Sequence, residues 1–176
     1  MLNGCGSVLE QTDGAVARAP QAMELQTGNL TIDGEHQQLY ALLQTARSIC
    51  LDMAVHRDCR SCSEARRAHC ENALVKVLGD LLIFILDHFK TEESIMRESL
   101  LIMIDRLLCE THMEDHAAIS AKIERIIAAL DPLQTVSQLR ELDTVLGRWA
   151  TLHIATHDMA LVNWIEREDS ALRSSF

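Results

Sequence analysis

The sequence predicts an all-α protein, an antiparallel up-down four-helix bundle with an irregular N-terminal arm, and three observations carry that prediction. Residues that make turns are scarce: Gly 7 and Pro 2 among 176 residues, about 5% where some 12% is usual. Apolar residues still make up 48% of the chain, so there is a core to fill and little to interrupt helices. The apolar positions also recur at spacings of three and four in four separate stretches, the period of one helical face.

Residues 1–30 are rich in Gly, Gln, Ala, Thr and Ser without apolar periodicity. They are expected to form a mostly irregular arm, part of it lying across the bundle, ahead of one domain over 31–176. The first helix opens near Thr31-Ile32-Asp33 and carries His36, Leu39, Leu43, Ala46, Cys50 and Met53 on one face. The second is expected after the polar stretch 56–70, with Leu74, Leu78, Leu81, Ile85, His88, Glu92 and Met96 in one inward stripe. The third carries His112, His116, Ile119, Ile123, Ile126 and Leu130. Asp131-Pro132 then predicts a stop and a restart, with Asp as N-cap and Pro at the first helical position. The fourth runs through Leu139, Leu142, Leu146, Trp149 and His153, with Trp164 further on. Four antiparallel helices joined by short loops are the simplest arrangement that buries four such stripes.

Charge and hydropathy narrow the function. The net charge of −10 works against phosphate backbones and anionic lipid, so neither nucleic acid nor a membrane surface is an expected partner. The longest apolar run, 81–86 between Asp80 and Asp87, is far short of the ~20 residues that cross a bilayer. The first 26 residues contain Glu10, Asp13 and Glu24 and no apolar core of a signal peptide. A cytoplasmic location follows, where the six Cys are expected to be thiols or ligands.

Every stripe carries a histidine. A single His on an apolar face is more often a hydrogen-bonded core residue, but five imidazoles and two carboxylates in one core would cost several kcal/mol per unpaired group. A cation resolves that conflict. His88-Phe-Lys-Thr-Glu92 and His112-Met-Glu-Asp-His116 are i, i+4 pairs, which aim two side chains one turn apart at a common point. Imidazole plus carboxylate on bundle helices suits divalent iron, zinc or manganese, and two carboxylates able to bridge argue for two metal ions.

The series Ile32-Asp33-Gly34-Glu35-His36, His88-Phe89-Lys90-Thr91-Glu92-Glu93 with Met96, His112-x3-His116 and Trp149-x3-His153-Ile154-x3-Asp158 resembles bacterial hemerythrin over about residues 28–165. The resemblance implies one iron on His112, His116 and His153 and a second on His36 and His88, the latter with an open position for O2. Glu92 and Asp158 would bridge the two, and Trp149, Ala150 and Ile154 would line the bound ligand. It further implies reversible binding of O2 or another diatomic such as NO. Five neutral imidazoles among seven ligands fit holding O2 better than cleaving it. An oxygen or redox sensor domain with a signalling output domain or protein partner is the expected function. A stand-alone O2 or iron carrier and a diiron peroxidase or nitric oxide scavenger are the alternatives.

Three departures stand out. Ala150 occupies a position where the family usually has Leu, which predicts a less shielded iron and faster oxidation. The connection between the first two helices is long and holds Cys59-x2-Cys62-x7-Cys70 with His56 and His69, readable as a zinc site, a redox pair or plain thiols. The usual Tyr-Pro between the second and third helices is replaced by the apolar stretch 100–108. Cys5, Cys50, Cys109, Trp149 and Trp164 read as core packing, the seven Met as helix filler, and His157 as lying beside the ligands or at the surface.

The last helix poses a register problem. At about 100° per residue, Asp158 stands some 140° around the helix from His153, whereas His157 stands about 40° away. Geometry alone nominates His157 and the resemblance nominates Asp158. A π-type turn between His153 and Asp158 would reconcile them, and Asp158 with such a distortion is the expectation.

Overall fold

A computed structural model describes residues 26–173. The expected arm over residues 1–30, with Cys5, therefore lies outside the described residues as far as residue 25. From Leu30 onward helices joined by turns make up the chain, and the described residues contain no strand.

Helix α1 (Leu30–Ile49) starts where the Asn29 side chain accepts from the backbone N–H groups of Thr31 and Ile32, satisfying donors that a helix end leaves orphaned. Asp33 holds the entering chain, accepting from Thr27 N at 2.6 Å and Thr27 Oγ1 at 2.8 Å. Its buried residues are Ile32, His36, Leu39, Leu43, Ala46 and Ile49. The helix ends before the expected Cys50 and Met53: Cys50 is extended and Met53 lies in a turn. The cause is tertiary, because the Arg140 guanidinium takes the carbonyls of Met53, His56 and Arg57 at 2.8, 2.7 and 3.0 Å.

Helix α2 (Glu64–Glu98) begins inside the stretch expected to be a connection. Ser63 caps it, accepting from Arg66 N, and Glu64 sits at its positive end. The polarity of 64–69 reports an exposed first turn and a half rather than the lack of a helix, and Cys70 is the first position to turn inward. After Leu100, whose φ of 58° is uncommon outside glycine, the apolar stretch becomes the short helix α3 (Leu101–Ile104) and the opening of α4 (Arg106–Ala128). Leu101 is buried there, while Met103, Ile104 and Leu107 face solvent. Asp131-Pro132 does not start the next helix. Gln134 N donates to Asp131 O at 2.9 Å, a turn with Pro in its second position, and α5 (Thr135–His153) begins after it. A π turn (Ile154–Asp158) and α6 (Met159–Arg173) follow directly.

Helices α1 and α4 each pack on both α2 and α5. One apolar cluster, including Leu43, Leu74, Leu81, Ile123 and Leu142, fills most of the interior. A smaller one gathers Ile32, Met96, Leu101, Cys109, Leu161 and Val162. Along each helix the buried His and carboxylate positions fall between these two clusters in sequence. The result is a polar layer sandwiched by apolar ones. Among the described residues, no helix is long and apolar enough to cross a membrane.

Candidate metal centre

The layer is built from one residue of α1 (His36), two of α2 (His88, Glu92), two of α4 (His112, His116), one of α5 (His153) and the last residue of the π turn (Asp158). All seven are buried, Glu92 and Asp158 to 0% exposure. His112 Nε2 and His116 Nε2 lie 3.2 and 3.3 Å from His153 Nε2. Nitrogens at adjacent corners of one metal, each about 2.1 Å from it, would be ~3.0 Å apart. His153 thus already stands at the spacing of a shared metal's ligands from both His112 and His116. With Glu92 their ligand atoms fall within 4.8 Å of one another, and His88, Glu92, His153 and Asp158 form a second, overlapping group.

The carboxylates connect the two sides. Glu92 Oε2 lies 3.0 Å from His116 Nε2, 3.3 Å from His112 Nε2 and 3.6 Å from His88 Nε2. Asp158 turns Oδ1 to His153 Nε2 and Oδ2 to His36 Nε2, both at 3.0 Å. Each carboxylate therefore faces the three-histidine group and the His36–His88 pair at once. Asp158 reaches this position through the π turn, where Met159 N donates to Ile154 O, five residues back. His157 is half-buried and stacked on His112 with ring centroids 5.0 Å apart. It shares a further group of candidate ligand atoms with Asp115 and His153.

Buried atoms test whether a cation fits. His88 Nε2 and Glu92 Oε1 have no hydrogen-bond partner among the described residues, and each such group costs about 1–3 kcal/mol when left unsatisfied. A metal ion ligated by both removes the cost. The donor set of imidazole and carboxylate accepts divalent iron as well as zinc or manganese. The cluster can hold a metal ion.

Without metal, the protons partition unevenly. Burial opposes charge on His153, but hydrogen bonds to Asp158 and Glu92 overcome it and raise its pKa to about 10. Burial holds His116 down at about 4 despite its contact with Glu92. Burial also disfavours the Glu92 anion, yet the imidazoles of His112, His116 and His153 keep its carboxyl well below the usual range.

Two supporting carboxylates escaped sequence reasoning. Asp115 Oδ2 lies 2.8 Å from His153 Nδ1 and accepts from Trp149 Nε1 at 2.7 Å. Glu35 Oε2 lies 2.8 Å from His88 Nδ1, while its Oε1 accepts from Thr91 Oγ1 at 2.7 Å. An Nδ1–H held by a carboxylate leaves the Nε2 lone pair directed at the metal. Both carboxylates immediately precede a ligand-type His, but so does Asp87, which is exposed. Adjacency alone is therefore a weak signal.

Aromatic rings complete the walls. Phe89 stacks on His116 with centroids 3.6 Å apart, Phe84 on His88 at 5.3 Å, and Trp149 on His153 at 4.5 Å. Ala150 and Ile154 are buried in the large apolar cluster, Ala150 at 0% exposure. The candidate zinc ligands Cys59, Cys62 and Cys70 lie at the opposite end of α2 from Glu92, and their thiols are not among the ligand atoms gathered within 4.8 Å. No family model, curated protein or solved structure matches this chain.

Proposed function

We propose that this chain is a hemerythrin-like protein that holds two iron ions in the polar layer of an antiparallel up-down four-helix bundle and binds O2 reversibly as an oxygen or redox sensor in the cytoplasm. One observation carries the reading: Glu92 and Asp158 each face both histidine groups, an arrangement that a single metal would not require. His112, His116 and His153 would hold one ion and His36 and His88 the other, with the two carboxylates shared. The pair, once bound, supplies reversible electron exchange with a diatomic, O2 or NO.

The chain's own residues do the rest. Asp115 and Glu35 fix the tautomers and ring orientations of His153 and His88. The rings of Phe84, Phe89 and Trp149 lie against ligand histidines, keeping water out and strengthening local electrostatics. The His36–His88 side offers two histidines where the other side offers three, which would leave room there for a diatomic. Ala150 adds less bulk beside His153 than Leu would, favouring rapid oxidation and hence a sensor whose state passes to a protein or domain partner.

The test is metal content and a visible spectrum. Protein from iron-replete cells is expected to carry two irons per chain and, after anaerobic reduction, to convert at once to an oxidised spectrum in air. One iron, or zinc at full occupancy, would overturn the diiron reading. A long-lived oxygenated spectrum would replace the sensor with a carrier.

A further inference from the structure

The cysteine-bearing connection between α1 and α2 is left unused by the proposed metal centre. It lies far from it: Cys70 precedes His88 by 18 positions on α2, about 27 Å at 1.5 Å per residue. Four thiols meet at this end. Cys50 caps α1, Cys59 and Cys62 lie in the connection, and Cys70 places Sγ 3.7 Å from Ile49 O. All four are free. Their sulfurs do not form a gathered metal-ligand group, so a pair rather than a cluster is the unit to explain.

Cys62 N donates to Cys59 O at 3.1 Å, closing a tight turn whose end Cα atoms are less than about 7 Å apart. That is the separation a disulfide spans. The two thiols differ in access, since Cys59 is buried and Cys62 half-exposed. Ser63, the N-cap of the 35-residue α2, follows Cys62 directly, so the positive end of that helix adjoins the pair. Arg67 Nη1 donates to Cys62 O at 2.6 Å, and residues 57–67 carry four arginines against two carboxylates in a chain of net charge −10. The pair therefore sits in a positive patch of an acidic protein, which draws small anions.

We propose that Cys59 and Cys62 form a reversible dithiol–disulfide couple that exchanges with a small anionic disulfide of the glutathione type. Cys62 Sγ, the accessible sulfur, attacks one sulfur of the incoming disulfide; its S–S bond breaks and one glutathione thiol leaves with the Cys62 proton. Cys59 Sγ then attacks Cys62 Sγ in the mixed disulfide, and the second glutathione leaves with the Cys59 proton. Two protein thiols are oxidised and one external disulfide is reduced to two thiols. Cys70 does not compete for the first attack, because burial pushes its thiol pKa up. The couple is independent of the iron reading, and it lies in the strap that Arg140 and the Cys59 N to Leu133 O bond (2.9 Å) fasten to the rest of the bundle.

The experiment uses the full chain, reduced and then incubated with glutathione disulfide, alkylated and digested with trypsin. Cleavage after Arg57, Arg60 and Arg66 puts Cys59 and Cys62 on separate peptides, which stay joined only through a disulfide. The expected result is that joined pair, released by reductant. Cys59→Ser should accumulate a glutathione adduct on Cys62, and Cys62→Ser should react at least about tenfold more slowly. Circular dichroism of both variants checks that they are folded. Joined peptides linking either residue to Cys50 or Cys70, equal reactivity of the two variants, or full alkylation of both thiols in the wild type would each overturn the proposal.

Discussion

Deleting Thr156 should leave the metal centre intact. Thr156 is exposed within the π turn, and Asp158 lies five residues after His153. On a regular helix that places the carboxylate about 140° off the His153 direction, whereas four residues place it about 40° off. Removing one residue of the turn makes the separation four, so an ordinary α-helix presents Asp158 to the layer and the π turn has nothing left to absorb. Leu161 and Val162 move with Asp158 and keep their register in the smaller core cluster. One added i→i−4 hydrogen bond is worth ~1 kcal/mol, which for a chain of this size raises Tm by about 2–4 °C. Deleting the exposed Thr151 is the matched control. It rotates His153 and everything after it by about 100° relative to Leu146 and Trp149, removing His153 and Asp158 from their partners at about 3–5 kcal/mol for a broken buried pair. Metal content and thermal melts followed by circular dichroism read both variants. If the Thr156 deletion loses metal, or melts as low as the Thr151 deletion, the π turn is doing something other than correcting register.

Three further outcomes are expected. Asp115→Ala strands the Nδ1–H of His153 and the Trp149 indole N–H, and metal affinity measured by chelator competition should weaken about 10–100-fold; unchanged affinity would show that the ring is oriented by something else. Loading metal into the metal-free protein at pH 7 should release at least one proton per chain into weak buffer, because His153, at about 10, must lose its proton to bind, and His88, whose pKa the Glu35 hydrogen bond raises against burial, adds to the release. Affinity should accordingly rise about tenfold per pH unit towards pH 10. The sign for the metal-free fold is opposite. The raised folded pKa of His153 stabilises it fully below the ordinary His value of about 6.5, and the contribution drains away as pH climbs through 10, so chelated protein should melt lower at pH 9 than at pH 6. Ala150→Leu should slow air oxidation of the reduced protein while costing about 1–3 kcal/mol of overpacking, since Ala150 has no exposure; equal oxidation rates would sink the role given to this position.

What could be read in the sequence was whatever a helix's own period dictates. The stripes of α1, α2, α4 and α5 follow from spacings of three and four, and the same periodicity put His88 and Glu92, and His112 and His116, one turn apart on inward faces. Asp158 broke that period: helix geometry alone pointed to His157, only the resemblance pointed to Asp158, and the π turn expected with Asp158 does run from Ile154 to Asp158. Boundaries set by tertiary contacts were not legible. Nothing near Met53 says that an arginine some 87 residues away will take its carbonyl and end α1, and the opening of α2 looks like a connection because it is polar and largely exposed.

The supporting carboxylates mark where spacing stops being informative and packing takes over. Asp87 and Asp115 stand in the same relation to a following histidine, one position and about 100° earlier on the helix. From α4, that direction points at the neighbouring α5, where His153 Nδ1 and the Trp149 indole meet Asp115. From α2, the same rotation leaves Asp87 in solvent, and the ring of His88 is served instead by Glu35 across the α1 interface. A ligand must satisfy a point at the centre of the bundle, which every inward stripe shares. A carboxylate that holds a ligand from behind must satisfy one particular helix–helix interface, so its identity depends on which helices are neighbours.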